Sequence, residues 1–77
     1  MKIREHERVV LTEDIVASGL EAGDVGTVVH VYADGAACEV EFVALDGSTA
    51  AVVTLETVKV RPVRKHEIAH ARALVAA

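Results

Sequence analysis

A glycine-rich segment that runs into a series of β-branched residues constrains the fold of this chain more than any other feature. Gly19, Gly23 and Gly26 lead directly into the Val- and Thr-rich residues 27–31. Glycine permits the positive-φ backbone of sharp turns, whereas Val and Thr favour strands. The segment therefore predicts a loop that turns into a strand. We expect Gly23 and Gly26 to lie where a Cβ is poorly tolerated, because the chain turns there.

Turn signals divide the following residues into strands. The Asp-Gly dipeptides at 34–35 and 46–47 are typical of β-hairpin turns. Between them, residues 38–43 alternate apolar and acidic side chains, which predicts a strand with one buried face. The apolar set is Cys38, Val40 and Phe42, and the acidic set is Glu39 and Glu41.

The complete pattern predicts five strands, at residues 8–11, about 25–32, 38–43, 49–55 and 59–61. The fourth is apolar on both faces, so we expect both faces to be covered. A single 3₁₀ turn is predicted at 56–58, and Pro62 ends the fifth strand because it cannot donate to a ladder. Short strands separated by turns at this spacing favour a mainly β fold, a small antiparallel barrel over residues 1–63.

The periodicity changes after the last strand. Residues 64–77 are rich in Ala, which favours a helix. At helical spacing Ile68, Ala71 and Val75 fall on one side, with His66 and His70 nearly opposite. We therefore predict a C-terminal α-helix at 64–77 that packs on the barrel or on a partner.

Composition limits the classes of function. The 77 residues suffice for one domain with a small core. The net charge of −4 argues against a general binder of nucleic acid or anionic membranes. Cys38 is the one cysteine, so no intrachain disulfide can form. No signal peptide or membrane-spanning segment is predicted, and we expect a soluble cytoplasmic protein.

Most of the chain resembles a known family. The residues that carry the likeness lie at 9–15, 19–20, 22–29, 32–35, 39–42, 46–47, 53–55 and 60–63. They resemble a family of small bacterial proteins of unassigned function, which implies an SH3-like β-barrel and no catalytic residues. Residues 23–29, Gly-Asp-Val-Gly-Thr-Val-Val, are also similar to the glycine turn of the KOW motif in ribosomal and transcription-elongation proteins.

One segment matches a catalytic motif. Residues 66–70 read His-Glu-Ile-Ala-His, the H-E-x-x-H pattern in which two histidines on one helix face bind zinc and the glutamate activates water. No ligand follows His70, and a third ligand would have to be an Asp or Glu of the barrel. We predict weak two-ligand binding of Zn²⁺ or Ni²⁺ by His66 and His70, without turnover.

Other reactive side chains have simpler interpretations. Cys38 is either a nucleophile or, as its alternation with apolar neighbours favours, an inert buried thiol. His6 and His30 lack partners at metal-like spacing. Asp34, Glu39, Glu41 and Asp46 fit turns and a solvated strand face better than a cation site, since they lack EF-hand spacing.

The basic residues occupy both ends of the chain. They are Lys2, Arg4 and Arg8, then Lys59, Arg61, Arg64 and Lys65. If the first and last strands are neighbours, these side chains converge into a patch that can contact a phosphate backbone. Tyr32 is the one ring expected to be exposed, so base stacking contributes little.

We therefore predict a non-catalytic protein–protein interaction module without a cofactor or metal. Its partner is another protein, such as a toxin-like or enzyme subunit, or a second copy bound through the C-terminal helix. The alternative is a KOW-like module associated with nucleic acid through its basic ends, and a metal-dependent hydrolase at His66 and His70 is the third possibility. No membrane contact is expected.

Overall fold

The computed structural model describes residues 2–74, and its strands form one antiparallel sheet. Its strands are β1 (Arg8–Leu11), β2 (Val25–Val31), β3 (Ala37–Val43), β4 (Thr49–Glu56) and β5 (Val60–Pro62). Single 3₁₀ turns lie at Val16–Ser18 and Thr57–Lys59. The five predicted strands are therefore present, with boundaries that differ from the prediction by a residue or two.

The sheet is open, so the predicted SH3-like barrel is wrong. The strand order is β4-β3-β2-β1-β5, with every neighbouring pair antiparallel and with β4 and β5 as the two edges. Closure would require β4 to pair with β5. The 3₁₀ turn at Thr57–Lys59 separates these strands, and β5 contributes three residues and ends at Pro62, which has no N–H for a ladder.

The hydrophobic core lies on one face of the sheet. Val9, Val28 and Val40 come from adjacent strands and are fully buried. The core cluster also contains Leu11, Leu20, Cys38, Phe42, Leu55 and Val60. In the loop before β2, Leu20 and Ile15 pack on this core, whereas Val16 is exposed. The core consists of many small side chains and one aromatic ring.

Gly23 and Gly26 lack a side chain for different structural reasons. Gly23 has a φ of +96° and open space around its missing Cβ. Gly26 lies in β2 outside the positive-φ glycines, but a Cβ there would lie 2.6 Å from Cγ1 of Val40 and 2.9 Å from Cε1 of Phe42. Gly23 therefore serves the turn, and Gly26 serves close packing between β2 and β3.

The predicted C-terminal α-helix is also wrong. Residues 64–74 contain a turn but no helix, and Val75 of its predicted apolar stripe lies outside the described residues. His66 has a φ of +64°, which interrupts a right-handed helix. A helix of this length is marginal in water. The contacts of Glu67 with β5 and of Arg72 with the loop before β2 hold this segment in an irregular conformation.

The helical structure in residues 2–74 consists of the two three-residue 3₁₀ turns. Neither turn has the length or the apolar character needed to cross a membrane.

Candidate functional site

A groove lies between the second face of the sheet and residues 63–74, which we call the C-terminal strap. It has a volume of about 670 Å³. Side chains alternate along a strand, so Val9 and Leu11 face the core while Val10 faces the groove. Val10 is buried, with 7 % of its surface exposed, although it faces away from the core, and residues of the strap line the same groove. The strap thus takes the place on the sheet that the prediction gave to a helix.

The floor of the groove follows the register of three strands. Arg8 of β1 is opposite Thr27 of β2, and Thr27 is opposite Glu41 of β3. All three line the groove. Glu41 accepts a hydrogen bond from the hydroxyl of Thr49 at 3.1 Å. The floor therefore presents a cation and a carboxylate separated by a hydroxyl, on an otherwise apolar surface.

Large apolar side chains surround the groove. Leu45, in the β3–β4 turn, is 85 % exposed, and Ile68 of the strap is 92 % exposed. Further exposed apolar residues of the groove lining are Val25, Val43, Val63 and Leu74. We call these six side chains the apolar rim. Strand geometry places Val25 and Val43 on the groove side because their neighbours Gly26 and Phe42 face the core.

Arg72 attaches the far end of the strap to the loop before β2. Its Nε donates to Oδ1 of Asp24 at 2.9 Å, and a terminal nitrogen donates to Oδ2 at 2.5 Å. The same nitrogen donates to the carbonyl oxygen of Gly19 at 3.1 Å. The guanidinium also lies 3.4 Å from Glu21. The hydrogen bond from Arg72 is the main cause that lowers the pKa of Asp24, and the backbone N–H of Glu21, which donates to Oδ2 at 2.8 Å, lowers it further.

Arg61 and Glu67 attach the near end of the strap to β5. The guanidinium donates to both carboxylate oxygens of Glu67, at 2.9 and 2.6 Å. The backbone N–H of Arg64 also donates to this carboxylate, at 2.5 Å. Hydrogen bonds from Arg61 and then from Arg64 lower the pKa of Glu67 from 4.5 to about 2. A bidentate pair of this kind fixes orientation as well as distance.

The ion pair between Arg61 and Glu67 makes the attachment of the strap to β5 sensitive to acid. Because the folded-state pKa of Glu67 is about 2 and its ordinary value is 4.5, the contact is fully present above pH 4.5 and is lost as the pH falls through about 2. We expect NMR titration of the Glu67 carboxyl to show a midpoint near 2 in the wild type. In Arg61→Gln the midpoint should rise toward 4.5, and in the control Arg8→Gln it should stay low. A low midpoint in Arg61→Gln would contradict the assignment.

The H-E-x-x-H segment does not have the geometry of a zinc helix. His66 is at a positive φ, residues 66–70 form no helix turn that brings both imidazoles to one face, and Glu67 is bound to Arg61. Within residues 2–74, no group of three His, Cys, Asp or Glu side chains is arranged to hold a metal ion. His70 lines the groove, where an exposed imidazole can contribute to binding.

The remaining candidate side chains are dispersed. Cys38 is fully buried, and burial raises the pKa of its thiol, which disfavours the reactive thiolate. Asp34 and Asp46 accept backbone N–H groups two residues ahead, as in ordinary turns. His30 lies 3.6 Å from Glu5 and meets the ring edge of Tyr32 at a centroid distance of 4.7 Å.

The basic ends of the chain converge in part. β1 pairs with β5, as expected, and Arg8 and Arg61 both line the groove. However, Arg61 is paired with Glu67, and Lys59 lies 3.6 Å from Glu13 and 3.8 Å from Glu56. The basic side chains of β5 and of the 3₁₀ turn before it are therefore compensated within the molecule.

Sequence reasoning missed the residues that hold the strap. Arg72 and Asp24 are separated by 48 positions, and neither lies in a motif that links them. Glu67 belongs to the H-E-x-x-H motif in the sequence, but in the structure it pairs with Arg61, six residues earlier, and His66 between them has a positive φ. The one sequence feature that bears on the exposure of Leu45 is its position beside the Asp-Gly turn at 46–47.

Comparison with known proteins gives one match. Residues 5–62 match a family described as a domain of unknown function (DUF4926). No curated protein and no solved structure matches the chain. The matched range contains all five strands and ends at Pro62, immediately before the strap. Because the match covers more than half of the sequence, the chain belongs to this family of domains of unknown function.

Proposed function

We propose that this protein is a non-catalytic protein–protein interaction module that binds a polypeptide through the strap groove and its apolar rim. The observation that carries the proposal is the exposure of the rim, above all of Leu45 and Ile68, around a groove of about 670 Å³. Clustered exposed apolar side chains on a small protein usually mark a binding surface. The expected ligand is a segment that presents apolar side chains and a polar group for Arg8 or Glu41.

The charge distribution favours a protein over a nucleic acid as the partner. The net charge is −4, and the cations Lys59, Arg61 and Arg72 each lie within ion-pair distance of a carboxylate. Binding to phosphate backbones depends on cations that are free to replace counterions. The convergence of Arg8 and Arg61 is the feature that keeps a nucleic-acid role as the second candidate.

The cysteine content supports a proposal for the compartment. Cys38 is a free, buried cysteine, which agrees with a reducing environment. We place the module in the cytoplasm, and the resemblance to small bacterial proteins supports a bacterial host.

The proposal can be tested by site-specific photo-crosslinking in the native host. A photoreactive amino acid at Leu45 or Ile68 should give a discrete protein adduct, because both side chains point outward at the rim. The matched control is Val16, which is 86 % exposed but lies on the first 3₁₀ turn, outside the groove lining. No protein adduct at either rim position, or the same adducts at Val16, would contradict the proposal. Adducts with nucleic acid would favour the second candidate.

A further inference from the structure

The two edges of the sheet are protected to very different degrees. β5 has three residues, contains Arg61 and ends at Pro62, features that block further strand pairing. β4 has eight residues, Thr-Ala-Ala-Val-Val-Thr-Leu-Glu, with no Pro and no charge before Glu56. Proteins usually protect an edge of this length and composition with charges, bulges or a covering element.

The backbone groups available on β4 can be identified from the ladder. The carbonyl of Ala36 accepts from Thr57 N–H on the β4 side, and the carbonyl of Ala37 accepts from Tyr32 N–H on the β2 side. The backbone N–H and C=O groups of successive residues point alternately to the two sides of an antiparallel strand. Cys38, Val40 and Phe42 therefore bond to β4, and their partners Leu55, Val53 and Ala51 bond to β3. Val52 and Thr54 therefore direct their N–H and C=O groups away from the sheet. Their side chains are exposed as well.

We propose that β4 pairs antiparallel with β4 of a second copy of this chain, with Val53 opposite Val53 on the two-fold axis. This inference rests on the proposed role as a protein-interaction module and names a second copy as a partner. In this register Val52 and Thr54 of one copy bond to Thr54 and Val52 of the other. On the core face Leu55 of one copy lies beside Ala51 of the other, so a large side chain meets a small one.

Charge favours the antiparallel self-pairing. Glu56 is the one ionised side chain of β4, and the two-fold axis places the two carboxylates at opposite ends of the ladder, each beside Ala50. A parallel pairing would put them side by side, and like charges directly opposite destabilise a sheet.

The asymmetry of the edges also limits assembly to two copies. Pairing through β4 uses the open edge of both chains, and the new ten-stranded sheet ends in β5 on each side. Because β5 is short and ends in proline, further strands are not added. Oligomerisation also gives a chain with a small core additional buried surface.

The oligomeric state tests the inference directly. Light scattering on the full-length protein at high micromolar concentration should give the mass of a dimer. Thr54→Pro removes an N–H that points away from β3, and Val52→Lys puts a charge at the centre of the edge. Both should give monomers that stay folded by circular dichroism. The matched control Val58→Lys, on an exposed side chain outside β4, should remain dimeric.

Disulfide trapping tests the register. Val53→Cys should form an intermolecular disulfide on mild oxidation, since directly opposed residues of a non-hydrogen-bonded pair lie about 4.5 Å apart at Cα. Val52→Cys should not, because its counterpart is displaced along the ladder, and the wild type should not, because Cys38 is buried. A monomeric wild type, or a dimer unaffected by both Thr54→Pro and Val52→Lys, would overturn the inference. A monomer that still crosslinks a different protein through Leu45 would overturn it while leaving the proposed function intact.

Discussion

Replacing Gly26 with valine is expected to destabilise the protein by about 2–3 kcal/mol, the upper part of the usual range for overpacking. A Cβ at this position would lie 2.6 Å from Cγ1 of Val40, 2.9 Å from Cε1 of Phe42 and 3.0 Å from the carbonyl oxygen of Glu41. The two side chains are buried, and the carbonyl belongs to the ladder between β2 and β3. None of the three can move away without disturbing the core or the sheet.

The effect can be measured by thermal unfolding, where it corresponds to a fall in Tm of roughly 10–20 °C for a domain of this size. Gly47→Ala is the matched control, since Gly47 has a φ of +93° but open space around its missing Cβ. It isolates the cost of backbone conformation, which should be about 1 kcal/mol. Gly26→Ala combined with Val40→Ala should cost less than the sum of the two single variants. Additive costs, or a Tm for Gly26→Val equal to that of the wild type, would contradict the packing argument.

Gly26 illustrates how far the sequence can predict this structure. The sequence correctly predicted a position intolerant of a Cβ, but it attributed this to a turn, and that reason applies to Gly23 with its φ of +96°. Local patterns identify strands and turns because alternation and Asp-Gly dipeptides act over a few residues. The close approach of β3 to Gly26 is a tertiary contact that the local pattern does not contain.

The strap shows the opposite case, in which a local preference is overridden. The Ala-rich composition of residues 64–77 favours a helix, but the strap gains the ion pairs of Arg61 with Glu67 and of Arg72 with Asp24 in another conformation. Helix propensity contributes tenths of a kcal/mol per residue and is readily outweighed by tertiary contacts. The groove could not be predicted, because it exists only where the strap lies over the sheet.

The prediction that both faces of β4 are covered was wrong for a related reason. Its residues are apolar on both faces, which predicts a strand covered on both sides. In the structure Leu55 faces the core, while Val52 is 50 % exposed at the edge of the sheet. The alternation of side chains shows which residues share a face, but a single sequence does not contain the tertiary contact that covers or exposes that face.

Replacing Phe42 with alanine is expected to have the largest effect of any single substitution, about 3–5 kcal/mol. Phe42 is the one phenylalanine in the chain and is 3 % exposed, among small side chains that cannot expand to fill its volume. A domain of this length has a total stability of roughly 4–12 kcal/mol. With a small core its stability is expected near the lower end, so Phe42→Ala should be largely unfolded at physiological temperature.

Tyr32→Ala is the matched control, because it removes the chain's other aromatic ring from an exposed site. It loses the edge contact with His30 and should cost about 1 kcal/mol or less. Chemical denaturation of both variants and of Phe42→Leu separates volume from aromaticity: Leu restores most of the buried volume and should recover most of the stability. Equal stability of Phe42→Ala and Tyr32→Ala would mean that the ring of Phe42 does not complete the core. The ring could then yield to a Cβ at Gly26, and the clash at that position would rest on Val40 and the carbonyl oxygen of Glu41 alone.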